Sequence, residues 1–283
     1  MAHLDIRPSP IAGTWYEGNR DRLAKNVDAY LDAATLPDLD GELVAVIAPH
    51  AGHKYSGLVA GYSFASLRNR TPDLVAVISP FHDFEVHPLL TTVHGAYGTP
   101  LGIIPVDKAA VTELDVVLKS ELGFGLSPIA HDREHSLEIE LPFLQRALTG
   151  DFKLLPVMVR AMEPDAARGL GMALAQVLKN KNALLVASTD LSHFYDQKTA
   201  NKLDAEMLKR FESFDPESIF EAEQNGKGFA CGHAAVAAVL WAARELGADK
   251  VQVLRHATSG DVTGDFSQVV GYGAAVVLKT KKS

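Results

Sequence analysis

The sequence predicts an α/β fold: a single domain, spanning residues 1–283, with a central, mainly parallel sheet flanked by helices. Short apolar runs rich in β-branched residues alternate with segments of helical periodicity along the chain. Several of these runs are apolar at consecutive positions, which is typical of strands that helices cover on both faces. No linker rich in Ser, Gly and Pro divides the chain, so we expect one domain rather than two.

Each element follows from its own segment. Apolar runs predict strands over residues 43–48, 74–79, 154–159, 183–188, 251–254 and 269–278. Apolar residues at helical spacing predict helices over residues 20–34, 58–68, 108–122, 137–148, 164–178, 201–212 and 233–246. The first two strands resemble each other, because both read Leu-Val-Ala-Val-Ile, a small residue and Pro, and a His follows. Their separation corresponds to about one βαβ unit.

Composition excludes several classes of protein. The net charge of −8 argues against a nucleic-acid-binding protein, which needs a basic face. One Cys, beside 11 His, can form neither an internal disulfide nor a zinc finger with several thiolates. The longest apolar runs, 234–243 and 269–278, are shorter than the ~20 residues of a membrane span, so no membrane association is expected. The N-terminus has no basic start followed by an apolar stretch, so we expect no secretory signal and a cytoplasmic location.

Histidines follow the predicted strands where ligands of open parallel sheets bind, beyond the carboxyl ends. His50 follows the first strand, His82 the second, Asp190 and His193 the fourth, and His256 the fifth. A single histidine in such a place is more often a loop residue bonded to a carbonyl. The matched pair, His50 and His82, instead favours a metal site, and neutral imidazoles suit zinc, iron or copper.

A metal site needs a third protein ligand, and the residues alone leave Asp190, His193, Glu138 and Cys231 as candidates. Cys231 lies between glycine-containing turns and a predicted helix, where the helix dipole favours the thiolate form. The alternative for a lone Cys is a small buried hydrophobic residue. His135 and Glu138 are three residues apart and would share a helix face. They would act as a carboxylate–imidazole pair of ligands, orient a ligand or substrate, or else form a solvated first turn.

Six motifs, in order along nearly the whole chain, resemble those of the Memo family, whose prokaryotic members are called AmmeMemoRadiSam system protein B. The motifs are Ala48-Pro-His50-Ala-Gly52, Tyr55-Ser-Gly57, Ser79-Pro-x-His82, Glu134-His135-Ser-x-Glu138, Ser188-x-Asp190-Leu-Ser192-His193 and Cys231-Gly232. The resemblance implies a fold similar to class III extradiol dioxygenases, which are non-haem iron enzymes that open catechol rings. It also implies His50, His82 and Cys231 as metal ligands.

The resemblance implies roles for neighbouring residues as well. His193 is expected to act as acid or base, with Asp190 orienting it. His135, Glu138, Tyr55 and His53 are expected around the metal or in the substrate pocket; His53 stands where family members often carry an aromatic residue. The chain departs from the dioxygenases in having Cys231 where they have a carboxylate. Thiolate is a softer ligand, which suits copper or zinc as well as iron.

The function expected from the resemblance is redox chemistry on one transition-metal ion, iron first and copper or zinc next, with a small-molecule or peptide substrate. A radical-SAM protein and an AMMECR-type protein are the expected partners. Three alternatives remain open. They are a zinc hydrolase that activates water, a module that binds a peptide or protein in the same pocket without catalysis, and a Cys231 nucleophile with His193 or His233 as base.

Overall fold

The computed structural model describes residues 5–160 and 163–281. Its strands are β1 (Ile6–Arg7), β2 (Glu42–Ala48), β3 (Leu74–Pro80), β4 (Leu89–Thr92), β5 (Ala96–Thr99), β6 (Gly102–Pro105), β7 (Ser127–Ile129), β8 (Lys153–Val159), β9 (Ala183–Ser188), β10 (His193–Tyr195), β11 (Lys250–Thr258) and β12 (Val269–Lys279). Its helices are α1 (Arg20–Ala33), α2 (His53–Ala65), α3 (Lys108–Leu122), α4 (Leu141–Ala147), α5 (Pro164–Leu178), α6 (Gln197–Glu212), α7 (Pro216–Gln224), α8 (His233–Glu245) and the short α9 (Gly260–Thr263), with a 3₁₀ turn (Glu138–Glu140) before α4.

The main sheet is mixed, with strand order β10-β12-β2-β9-β3-β8-β4-β7 and β11 paired on β12. Its centre is parallel, because β2, β9, β3 and β8 all run the same way. β12 runs antiparallel to β2, and β4 runs antiparallel to β8. The α/β class is therefore confirmed, whereas the expectation of a mainly parallel sheet holds only at its centre. An apolar run predicts a strand but carries no information about its direction.

The central strands are apolar at consecutive positions because helices cover both faces of the sheet. In β2, Ala45 and Ile47 are buried on the face that α3, α5 and α8 cover. Val46 and Ala48 are buried on the opposite face, against α1, α2 and α4. Successive side chains of a strand point to opposite faces, so both sets end in a core. Burying one such Val or Ile side chain contributes about 1.5–3 kcal/mol.

Helix bounds follow from caps and close packing. The predicted bounds of α3 are confirmed, since Asp107 caps its start and Gly123, with a φ of 77°, ends it. α6 begins four residues before the prediction because Asp196 accepts bonds from the first-turn N–H groups. α2 begins earlier still, at His53. Its apolar pattern is weak because Gly61 packs against α1, where an added Cβ would lie 2.4 Å from a backbone oxygen.

A second sheet, with strand order β1-β5-β6, was not predicted. Strands this short carry no periodic signal, and the pairing of β1 with β5 joins distant parts of the chain. The short strands β4, β7 and β10 were missed for the same reason, and α7, with nine residues, is shorter than the window in which a helical period is clear. The small sheet fixes the N-terminal segment next to the edge where the predicted histidines lie.

None of the helices in the described part of the chain is both long and apolar enough to cross a bilayer.

Candidate metal centre

The candidate site lies beyond the carboxyl ends of β2, β3 and β9. His50 follows β2, His82 follows β3 and Asp190 follows β9. Because β9 pairs with both β2 and β3, the two histidine loops converge over its end. His256 does not follow its strand, contrary to expectation. It lies inside β11, which runs to Thr258, and its Nε2 donates to Asp204 at 2.8 Å.

Three imidazoles converge at this edge. One ligand atom each of His50, His82 and His135 lies within 4.8 Å of those of the other two; we call these residues the histidine group. The ring centroids of His82 and His135 are 4.8 Å apart and stacked, and His50 meets both rings edge-on at 5.4 and 5.5 Å. Such a spacing allows all three nitrogens to reach one ion.

Glu134 holds His82 in place. The Nδ1 atom of His82 lies 3.0 Å from Oε1 of Glu134, and the same carboxylate accepts bonds from the backbone N–H groups of His82, His135 and Ser136. Burial alone would raise the pKa of Glu134, but these bonds outweigh it and hold the pKa well below its usual range. Burial likewise lowers the pKa of His82, and the Glu134 carboxylate outweighs that effect and raises it. Among the described residues, the hydrogen bonds of the His82 ring involve Nδ1, so Nε2 is free for a ligand.

Sequence reasoning placed His135 around the site, and the structure brings it into the histidine group. Its ring packs against Trp15 at a centroid distance of 4.1 Å. Burial lowers the pKa of His135 to about 4, so the ring is neutral at neutral pH. His135 precedes the 3₁₀ turn rather than a helix, so it shares no helix face with Glu138. The sequence signal that could have found it is its neighbour Glu134, a carboxylate beside a potential ligand.

His50 is fully buried between Ser188 and Cys231. Its Nδ1 lies 2.8 Å from Oγ of Ser188, and its Nε2 lies 3.1 Å from Sγ of Cys231. Burial and the other two imidazoles hold the pKa of His50 well below its usual value, so the ring is neutral. Cys231 also accepts a bond from the N–H of Asp190 at 3.2 Å.

The position of Cys231 before α8 does not make it a thiolate. Burial first, and the nearby Asp190 carboxylate next, raise the pKa of the thiol. The dipole of α8 was expected to favour the thiolate, and desolvation overrides it. The thiol is still held at the site, because Gly232 packs so closely on β9 that an added Cβ would lie 2.3 Å from the Ser188 carbonyl oxygen.

Asp190 fixes a loop rather than a ring. Its Oδ1 accepts bonds from the backbone N–H groups of His50 at 2.8 Å and Ala51 at 3.3 Å. Among the described residues, none of its hydrogen bonds reaches His193, which it was expected to orient. Burial raises the pKa of Asp190 to about 7.

A small open cleft of about 220 Å³ leads to Cys231 and is lined by His193, Tyr195, Glu223 and Phe229 among others. Burial lowers the pKa of His193. The rings of Tyr195 and Phe229 stack at 6.0 Å beside it. A larger cleft, about 960 Å³, lies at the amino ends of β3 and β8 on the opposite edge of the sheet, away from this chemistry.

The remaining predicted pocket residues lie elsewhere. Glu138 is fully buried, so it does not belong to a solvated turn, and its carboxylate binds Arg7 and Tyr16 of the N-terminal segment. His53 is buried among aromatic rings, and its Nε2 donates to the carbonyl of Ile139. Tyr55 is exposed on the first turn of α2. None of these three side chains bonds to the histidine group in the described structure.

Comparisons with known proteins agree on one family. A family profile described as Memo-like protein matches residues 7–276. A MEMO1 family protein of Nitrosopumilus maritimus is 33% identical over 273 residues, which cover 95% of this chain and 98% of that protein. A MEMO1 family protein of Thermotoga neapolitana is 36% identical over 283 residues, covering 96% and 99% of the two chains. One from Methanopyrus kandleri is 34% identical over 283 residues, covering 95% and 98%.

Proposed function

The chain belongs to the Memo-like protein family, and from this premise we propose that it is a metalloprotein. We propose that the histidine group, with Cys231 beside it, holds one transition-metal ion that serves redox chemistry. The observation that carries the proposal is the convergence of three imidazole nitrogens within 4.8 Å of one another. Iron is the first choice because of the resemblance to non-haem iron enzymes, which we infer extends to the fold, and copper or zinc follow.

The donor set fits such an ion in its chemistry. His50 and His135 are neutral, because burial lowers the pKa of both, so each offers a lone pair. His82 has the carboxylate–histidine arrangement that orients metal ligands in many proteins, with Glu134 on its other nitrogen. Imidazole suits iron, copper and zinc alike.

His50 and His82 are two of the proposed ligands, and two residues are candidates for the third. The resemblance implies Cys231, whereas proximity favours His135. Cys231 would have to lose its proton to bind, and a nearby cation favours that loss. Its raised pKa without such a cation argues against a free Cys231 nucleophile, which needs a thiolate.

Two residues support this chemistry without belonging to the ligand set. Asp190 fixes the backbone of His50 and thereby the position of its ring. His193 lines the cleft that leads to Cys231, and its lowered pKa leaves it neutral and able to accept a proton from a bound substrate. A redox-active ion at the histidine group would supply one-electron or oxygen chemistry. The cleft would admit a small molecule or the end of a peptide.

The partners and the compartment are also part of the proposal. A radical-SAM protein and an AMMECR-type protein are proposed as partners on the resemblance alone, and the cytoplasm is proposed as the location.

Oxygen uptake by anaerobically iron-loaded protein tests the function. The wild type should consume O₂ or develop a visible absorption band, and His82→Ala should do neither. His87→Ala, at an exposed position, is the control and should behave like the wild type. A colourless zinc protein with esterase turnover would instead support the hydrolase. Full cellular function in both His50→Ala and Cys231→Ala would support the binding module and contradict the redox proposal.

A further inference from the structure

Glu140 is a fully buried carboxyl group close to the proposed metal centre that the proposed function does not use. It ends the 3₁₀ turn before α4. Its Oε1 lies 2.7 Å from Oγ of Ser188. Its Oε2 has no hydrogen-bond partner among the described residues. An ionised carboxylate in this position would be costly, since no cation is bonded to it in the described part of the chain.

The hydroxyl of Ser188 joins this carboxyl group to His50. Besides Glu140, its Oγ lies 2.8 Å from Nδ1 of His50 and 2.7 Å from the carbonyl oxygen of Ser136. A hydroxyl donates one hydrogen and accepts two. The carbonyl of Ser136 can only accept, so it competes with any other acceptor for that single hydrogen.

Counting hydrogens leaves one arrangement in which all three short contacts are bonds. Ser188 donates to the carbonyl of Ser136, so the other two partners must both donate to its Oγ. Glu140 donates only as a neutral carboxylic acid, and His50 donates only if its hydrogen is on Nδ1. An ionised Glu140 could only accept, as the carbonyl of Ser136 does, and the hydroxyl of Ser188 has a hydrogen for only one of these two acceptors.

The other side of His50 agrees with this count. With the hydrogen on Nδ1, the Nε2 atom carries a lone pair, and Cys231 is placed to donate its S–H to it at 3.1 Å. Burial raises the pKa of Glu140 well above its usual value, in keeping with a neutral acid.

We propose that Glu140 is a positioning residue: as a neutral acid it donates to Ser188, and Ser188 in turn accepts Nδ1–H of His50 and aims the Nε2 lone pair at the metal centre. The inference deepens the proposed function and rests on it for the role in metal binding. The two carboxyl groups that support the histidine rings then differ, because ionised Glu134 supports His82 directly whereas neutral Glu140 supports His50 through a hydroxyl. The metal centre thereby gains one buried negative charge from these supports instead of two.

Two spectroscopic measurements on the metal-free protein test the hydrogen-bond chain independently of metal binding. Infrared difference spectra of wild type against Glu140→Gln should show the carbonyl band of a neutral carboxylic acid in the wild type only. Nitrogen-15 NMR of the His50 ring should show the hydrogen on Nδ1. A missing acid band, or a hydrogen on Nε2, would overturn the inference even if the protein binds metal.

Zn²⁺ affinity then tests the link to the metal centre, with Glu121→Gln at an exposed position as the matched control. Glu140→Gln keeps a donor for Ser188 and should retain both the tautomer and an affinity close to that of the control. Glu140→Met has a similar size but no donor, so it no longer fixes the Oγ of Ser188, and it should lose about 10-fold to 100-fold in affinity. Equal affinity in Gln and Met variants would overturn the role of Glu140. Loss of Zn²⁺ binding by the wild type itself would contradict the proposed function while leaving the spectroscopic result standing.

Discussion

Replacing His53 by Gln should make the protein less sensitive to acid. His53 is 5% exposed, its Nδ1 has no hydrogen-bond partner in the described structure, and its Nε2 donates to the carbonyl of Ile139 at 3.0 Å. Aromatic rings surround it, with the ring of Phe143 at a centroid distance of 4.7 Å. A proton added to Nδ1 would therefore bury a positive charge, and desolvation lowers the pKa of His53 to about 4.

The size of the effect follows from the difference between the folded and unfolded states. In the unfolded chain the pKa returns to about 6.5, so between pH 6.5 and pH 4 the unfolded state binds a proton that the folded state does not. The depressed folded pKa thus contributes stability that is present above pH 6.5 and is lost as the pH falls toward 4. Each pKa unit corresponds to about 1.4 kcal/mol, so the loss is about 3 kcal/mol. Gln keeps a donor for Ile139 and does not titrate.

Urea denaturation of the metal-free protein at pH 7 and at pH 4 measures this difference. Between pH 7 and pH 4, the free energy of unfolding should fall by about 3 kcal/mol more in the wild type than in His53→Gln. This comparison does not depend on whether the two proteins are equally stable at pH 7. His87→Gln, at an exposed position, should keep the acid sensitivity of the wild type. Equal losses of unfolding free energy in the wild type and in His53→Gln would show that protonation of His53 does not cause the acid sensitivity.

Three further substitutions have expected effects on the free energy of unfolding. Arg7→Met should destabilise the fold by about 3–5 kcal/mol, because Arg7 is 3% exposed and its loss leaves the buried Glu138 carboxylate without its cation. A change below about 1 kcal/mol would contradict this expectation. Gly61→Ala should lower the free energy of unfolding by about 1–3 kcal/mol, since the new Cβ would lie 2.4 Å from the carbonyl oxygen of Tyr30. An unchanged denaturation midpoint would show that α1 and α2 can move apart without a loss of stability. Phe194→Asn should stabilise the fold by about 1 kcal/mol, because Phe194 is exposed with a φ of 63° and Asn tolerates that backbone conformation better. A lower melting temperature of the variant would show that the backbone at Phe194 is not strained.

The sequence was most informative where local pattern and tertiary burial agree. The bounds of β9, α3 and α5 match their predictions, since each of these segments carries a regular apolar pattern that ends at the point where the element ends. β11 was predicted too short, because its second half is only partly buried and its side chains do not form an apolar run. The pattern of apolar residues carries no information about strand direction, so the antiparallel strands toward the edges of the sheet could not be predicted.

The candidate site was predictable to the extent that it follows the parallel strands. His50 and His82 come directly after β2 and β3, and the rule that ligands bind beyond the carboxyl ends was enough to select them. His135 joins them from an irregular segment that the N-terminal segment holds in place through Arg7. No periodicity marks such a contact. The protonated state of Cys231 was likewise hidden, because burial depends on the whole fold.

The most direct test of the metal centre is elemental analysis of anaerobically purified protein, with the wild type and His135→Ala measured side by side. We expect near-stoichiometric iron, copper or zinc in the wild type and a sharp loss of metal in the variant, since His135 supplies one of the three converging nitrogens. A wild-type protein that holds none of these metals would show that the three histidines do not form a metal centre. Equal occupancy in wild type and variant would remove His135 from the ligand set.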